Sequence, residues 1–216
     1  MPDQIGAQHD FHDQSYAKDW AQRFVPTEPR QAMFDTIIQS LHDYPLPHSH
    51  IVELGLGPGY LALEILQRIP TVTYEGLDFS AAMFQIAAHR LQAYRPRLTF
   101  TEVDLTKHGW AARISRPAGA IVSTWALHDL GSETHIRSVY DTAKQILPTD
   151  GLFLNGDFIK PATTRFDYEP GRLPIARHLE LLEAAGFRDV QCLAYLEAEV
   201  ENPTSANNYA CFKGMV

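Results

Sequence analysis

Ile51-Val52-Glu53-Leu54-Gly55-Leu56-Gly57-Pro58-Gly59-Tyr60 is the stretch that decides the fold. It opens as a short apolar run of buried-strand length, passes three alternating glycines, and continues at once into Leu61, Leu63, Ile65 and Leu66 with helical spacing. Glycine lacks a Cβ and enters positive φ freely, so such a turn lets the backbone and a helix N-terminus approach a ligand closely. A strand that turns straight into a helix is the opening of a parallel-sheet unit. A dinucleotide-binding loop would need its third glycine at position 60, but Tyr60 stands there and the glycine falls at 59.

Outward from this turn, β-rich runs alternate with helical patterns. Strands are predicted at Ile51 to Leu54, Val72 to Asp78, Leu98 to Asp104, Ala120 to Trp125 and Leu152 to Phe158. Helices are predicted from Tyr60 to Arg68, after a Ser80 cap, from about Ser132 to Leu147, and from Ile175 to a stop at Gly186. Val190 to Leu196 and Asn208 to Lys213 read as two further strands that pair antiparallel, joined by the polar stretch Glu201 to Ala206. The expectation is an α/β chain: a three-layer αβα, doubly wound, mostly parallel sheet of seven strands with a C-terminal antiparallel pair. Residues 1–10 read as frayed, and Met33, Phe34, Ile37, Ile38 and Leu41 form a helix that Thr27 and Pro29 can start. Residues 1–45 are therefore expected as a helical lid segment, and 46–216 as the sheet domain.

Open α/β sheets bind their ligands at the carboxyl ends of the strands. Asp78 ends the second strand, 19 residues beyond Gly59, where a carboxylate can accept both hydroxyls of a ribose. Asp104 ends the third strand, and Ser123-Thr124-Trp125-Ala126-Leu127-His128-Asp129-Leu130 follows out of the fourth.

Glu53, Gly55, Gly57 and Gly59 together resemble motif I of the class I (Rossmann-like) methyltransferases that use S-adenosyl-L-methionine. The resemblance implies that this loop holds the methionine portion of the cofactor, that Asp78 binds its ribose, and that Phe79 and Met83 offer apolar surface to the adenine. It also sets Asp104, Leu105 and Thr124 beside the cofactor, and Trp125 and His128 toward a small-molecule methyl acceptor. Tyr16-x-x-x-Trp20-x-x-Arg23-x-x-Pro26 is similar to the start of trans-aconitate-type methyltransferases. Tyr16 and Arg23, seven apart, share one helix face, so residues 9–26 are expected to close over bound cofactor, with Arg23 there or on an acidic acceptor.

An O, N or carboxylate acceptor fits this resemblance, and only an acceptor that must lose a proton needs a base. His128 is the candidate base; a structural histidine is the other reading of it. Phe166, Tyr168 and Arg172, between the fifth strand and the next helix, are candidates for the acceptor pocket, the alternative being an ordinary surface loop. A formal charge of −8 disfavours nucleic acid as partner. No run of eighteen apolar residues suits a membrane span, and the start MPDQIGAQHDFHDQ lacks a signal-peptide pattern, so a cytoplasmic location is expected. Cys192 and Cys211 have no metal-ligand spacing, and no metal is expected. A homodimer stays open, as do two other classes: a catalytically silent S-adenosylmethionine-binding protein and an NAD(P)-dependent oxidoreductase.

Overall fold

The computed structural model describes residues 9–198 and 207–216. The expected frayed start, apart from residues 9 and 10, and the link Glu201 to Ala206 lie outside the described residues. Seven strands, β1 (His50–Leu54), β2 (Thr73–Asp78), β3 (Leu98–Glu102), β4 (Ala120–Thr124), β5 (Leu152–Phe158), β6 (Arg188–Glu197) and β7 (Asn208–Met215), form one sheet in the order β3-β2-β1-β4-β5-β7-β6. The first five are parallel, and β7 runs antiparallel to both β5 and β6. This is the doubly wound sheet with a C-terminal antiparallel pair that the sequence predicts. β6 begins at Arg188, before the expected Val190, because a register irregularity between Arg188 and Gln191 lets the strand continue past its apolar part.

Six α-helices flank the sheet: α1 (Gln14–Arg23), α2 (Glu28–Asp43), α3 (Tyr60–Arg68), α4 (Ala81–Arg90), α5 (Glu133–Ile146) and α6 (Ile175–Ala184). Their ends follow local chemistry. The Ser80 hydroxyl accepts from the Met83 amide at 3.1 Å to start α4, and Ser132 accepts from His135 at 3.2 Å to start α5. Gly186, with φ 91°, ends the turn after α6.

Successive strand residues point to opposite faces, which divides the core in two. Ile51, Tyr74, Val122 and Leu154 pack with α2 and α3, through Phe34, Ile37, Ile38, Leu61 and Ile65. Val52, Leu77, Ile121 and Phe153 pack on the other face with α5 and α6, through Ile136, Val139, Tyr140, Leu181 and Leu182. Each of these side chains contributes about 1.5–3 kcal/mol by leaving water. α2 belongs to the expected lid segment 1–45, yet five of its apolar residues sit in the sheet's own core. The strand order reverses between β1 and β4, which opens a crevice at their carboxyl ends.

The β1–α3 turn is pinned to β2, since the amides of Gly55 and Leu56 both donate to the Leu77 carbonyl at 2.9 Å. Gly55 holds φ 73°, and a Cβ there would collide with that of Ala126; a Cβ on Gly57 would meet nothing within 4 Å. Gly55→Ala should therefore lower stability by about 2 kcal/mol or more, a backbone penalty plus overpacking. Gly57→Ala carries the backbone penalty alone, about 1 kcal/mol. Urea denaturation of the two variants side by side checks the difference.

Candidate functional site

At the end of β1 the three glycines take φ of 73°, 50° and 77°, which aims the Gly57 amide across at β2. It donates to Asp78 Oδ2 at 2.7 Å, while the Ser80 amide donates to Oδ1 at 2.9 Å. Burial lifts the Asp78 carboxyl from 3.8 to about 6, against the opposing pull of these N–H groups and of nearby His12. The carboxylate, also within reach of the Phe79 amide, keeps acceptor capacity beyond these bonds. A group offering two adjacent hydroxyls, as a ribose does, fits what remains. Glu53 lies behind it, buried, accepting from the Tyr74 hydroxyl at 2.8 Å, and burial pushes its carboxyl well above the usual range.

A cavity of about 640 Å³ opens at this edge, within the usual range for small-molecule sites. From the β2–β3 side it is lined by Asp78, Phe79, Met83, Val103 and Leu105, and from the β4–β5 side by Thr124, Trp125, His128, Asp129 and Phe158. The stretch before α2 supplies a roof. Ser80 Oγ hydrogen-bonds the Phe11 carbonyl, and Tyr60 donates to the Ala21 carbonyl at 2.9 Å, which straps this stretch to the starts of α4 and α3. The Phe11 ring sits 5.1 Å from Trp20 and 5.7 Å from Tyr16, and Trp20 stacks on Phe24 at 4.1 Å.

His128 is held by two carboxylates: Nδ1 lies 2.7 Å from Asp157 Oδ1, and Nε2 lies 3.1 Å from Asp129 Oδ1. Burial works against its charged form, but the charges of Asp129 and Asp157 raise it from 6.5 to about 10. The two carboxylates favour an imidazolium whose nitrogens both donate, an arrangement that speaks against its use as the expected base. Asp157 was missed from sequence, although an aspartate inside a wholly buried strand is a readable signal.

Of the residues predicted from sequence, Tyr16, Glu53, Gly55, Gly57, Asp78, Phe79, Met83, Leu105, Thr124, Trp125, His128 and Arg172 all line the cavity. Five do not. Arg23 is exposed, because α1 buries the face of Ala17 and Ala21, which leaves Arg23 on the flank in the last turn. Asp104 turns back to accept from the Thr106 amide and hydroxyl at 2.9 and 2.5 Å. Gly59 packs against Leu91 and Ala87, serving the approach of α3 to α4. Phe166 is exposed, and Tyr168 is buried away from the cavity, where Asn208 donates to its hydroxyl at 3.3 Å. Lining residues not anticipated include Phe24, Arg30, Phe34 and Asp129; Phe24 follows Trp20 at helical spacing, and Asp129 adjoins His128.

A glycine turn, a buried acid at the next strand end and an apolar cavity at the switch point define an α/β protein that binds an adenosyl-type ligand. Residues 51–151 match the family model of a methyltransferase domain. The chain is 25% identical over 174 residues to the carboxy-S-adenosyl-L-methionine synthase of a Nitratiruptor species, covering 72% of this chain and 69% of the relative. It is 40% identical over 63 residues to the trans-aconitate 2-methyltransferase of Paracidovorax citrulli, covering 29% and 22%. The trans-aconitate similarity is thus partial. Among solved structures, the CurJ carbon methyltransferase superposes with a TM-score of 0.72 at 16% identity, over 94% of this chain and 58% of that one, which shows the shared fold. The chain spans between 4% and 69% of the length of the curated relatives it matches. Its residues 51–151, just under half of the chain, are thus similar to a methyltransferase domain, within a fold shared with solved methyltransferases.

Two outcomes follow from the charges at this site. A ribose donates to the Asp78 anion, so affinity for S-adenosylhomocysteine should fall as pH drops through about 6. Asp78→Asn should lose that pH dependence and bind about 1.5–3 kcal/mol more weakly at pH 8, by isothermal titration. For His128, the folded value lies above the unfolded one, so its contribution to stability is complete below about 6.5 and is lost as pH rises through about 10. Nitrogen-15 spectra of the imidazole should show both ring N–H groups at pH 8; a ring already neutral there would refute the two-carboxylate clamp.

Proposed function

We propose that this chain transfers a methyl group from S-adenosylmethionine to an O, N or carboxylate of a small-molecule acceptor in the cytoplasm. The observation that carries the proposal is one cavity in which Asp78 and Gly57 stand on one side and Trp125, His128 and Asp129 on the other, under a common roof. When bound, S-adenosylmethionine supplies a methyl group already activated on a sulfonium. The residues then have to hold, align and keep water away. Asp78 and the glycine turn hold the ribose and methionine ends, and Phe79, Met83, Val103 and Leu105 give the adenine an apolar bed. The strapped roof of Phe11, Tyr16, Trp20 and Phe24 excludes water and limits the acceptor's size.

With His128 charged, Asp129 is the carboxylate that can take a proton from an acceptor hydroxyl or amine, held in place by the 3.1 Å pair with His128. A carboxylate acceptor needs no such step. No helix among the described residues is long and apolar enough to cross a membrane.

Calorimetry against S-adenosylhomocysteine and NAD, followed by a radiolabelled-methyl screen of small metabolites, tests the proposal. Micromolar binding of S-adenosylhomocysteine, none of NAD, and label in a small acceptor are expected. Preference for NAD would return the oxidoreductase reading, and binding without any labelled product would leave a silent cofactor-binding protein.

A further inference from the structure

Among the described residues, His128 and Arg172 of the cavity wall are paired with carboxylates and Arg30 is not. His128 lies between Asp129 and Asp157, and Arg172 pairs with Glu169 at 2.8 Å. Asp78 and Glu53 accept from backbone N–H groups and a buried tyrosine hydroxyl. Arg30, in the first turn of α2, lines the same cavity half-buried, and among the described residues no carboxylate forms an ion pair with it. Its guanidinium rests on aromatic faces instead, 4.5 Å from the Phe24 centroid and 5.5 Å from that of Trp125.

The residue beneath it is also unusual. Trp125 follows β4 with φ 48°, a conformation that costs a large side chain of order 1–3 kcal/mol. Its indole Nε1 is buried with no hydrogen-bond partner. A buried donor without an acceptor is expensive, and a half-buried guanidinium without a counter-charge more so, unless a ligand completes them. The Arg30 guanidinium is a charged donor with no ion-pair carboxylate among the described residues, and it suits an anionic acceptor. A planar guanidinium carries its N–H groups in a fork that a carboxylate matches with two parallel bonds.

We propose that Arg30, with Trp125 beneath it, is the carboxylate-binding subsite of this cavity. The proposal rests on the methyltransferase reading for its choice of ligands: the carboxylate belongs either to the acceptor or to the amino-acid end of the cofactor. Arg30 thus takes the role that sequence assigned to Arg23, from the next helix along.

Full-length wild type, Arg30→Gln and Arg30→Lys are titrated with S-adenosylhomocysteine and with 5′-methylthioadenosine, which lacks the amino-acid end. The carboxylate–amide pairs benzoate and benzamide, and indole-3-acetate and its amide, are titrated on both ligand-free and S-adenosylhomocysteine-loaded protein. Thermal unfolding confirms that the variants fold. If the carboxylate is the cofactor's, Arg30→Gln weakens S-adenosylhomocysteine on the order of tenfold or more and leaves methylthioadenosine unchanged. If it is the acceptor's, S-adenosylhomocysteine affinity is kept. Carboxylates then outbind their amides on wild type, that preference disappears in Arg30→Gln, and Arg30→Lys, without the planar fork, restores only part of it. Binding of every probe within about twofold of wild type in Arg30→Gln, or equal weakening of the two nucleosides, overturns the proposal. Wild type that binds neither nucleoside sinks the cofactor reading, and Arg30 is then judged on the carboxylate–amide pairs alone.

Discussion

The 2.7 Å hydrogen bond from the Gly57 amide to Asp78 is the interaction on which the site depends. It joins the turn after β1 to the end of β2, and it can form only because Gly55 and Gly57 hold positive φ and turn the backbone back over the sheet edge. The Gly55 and Leu56 amides reinforce it by donating to Leu77, one residue before Asp78. Together these contacts keep an acidic group buried where it would otherwise pick up a proton, while leaving it acceptor capacity to offer. The same turn presents the N-terminus of α3 and the Tyr60 hydroxyl, which in turn holds α1.

The sheet and the N-terminal segment divide the work. The sheet edge supplies polar, rigidly placed atoms: backbone amides, Asp78 and the His128 clamp between strand ends. The segment before α2 supplies apolar area, and among its polar ties are the Phe11 and Ala21 carbonyls and the Gln14–Gln85 amide pair. Ring contacts hold much of this cover, and ring packing can be lost and regained without stranding a buried polar group.

Charge inside the cavity is set by pairs from different elements. His128 sits in the turn after β4, and its partner Asp157 in β5 is 29 residues away. Because that carboxylate is buried and close, it favours the charged form of the histidine, which lies 3.1 Å from Asp129. Tyr140 and His178 show how burial works the other way: they share a 2.7 Å hydrogen bond in the core, and desolvation lowers His178 to about 4, keeping it neutral.

The sequence by itself determined the strands, the capped helices, the glycine turn and Asp78. Each of these is written in neighbouring residues: apolar periodicity, a serine before a helix, alternating glycines, an acid closing an apolar run. The C-terminal antiparallel pair was legible for the same reason. Only the tertiary structure decided which side chains face the cavity and what charge they carry there. Heptad spacing put Arg23 on the same helix face as Tyr16, but Ala17 and Ala21 fixed which face of α1 is buried, and Arg30 of α2 lines the cavity where Arg23 does not. A strand-end position marked Asp104, but a local turn captured its carboxylate. Proximity in the chain named His128, while a carboxylate one strand over favours its charged form, because exposure and electrostatic partnership depend on residues that meet only when the sheet is assembled.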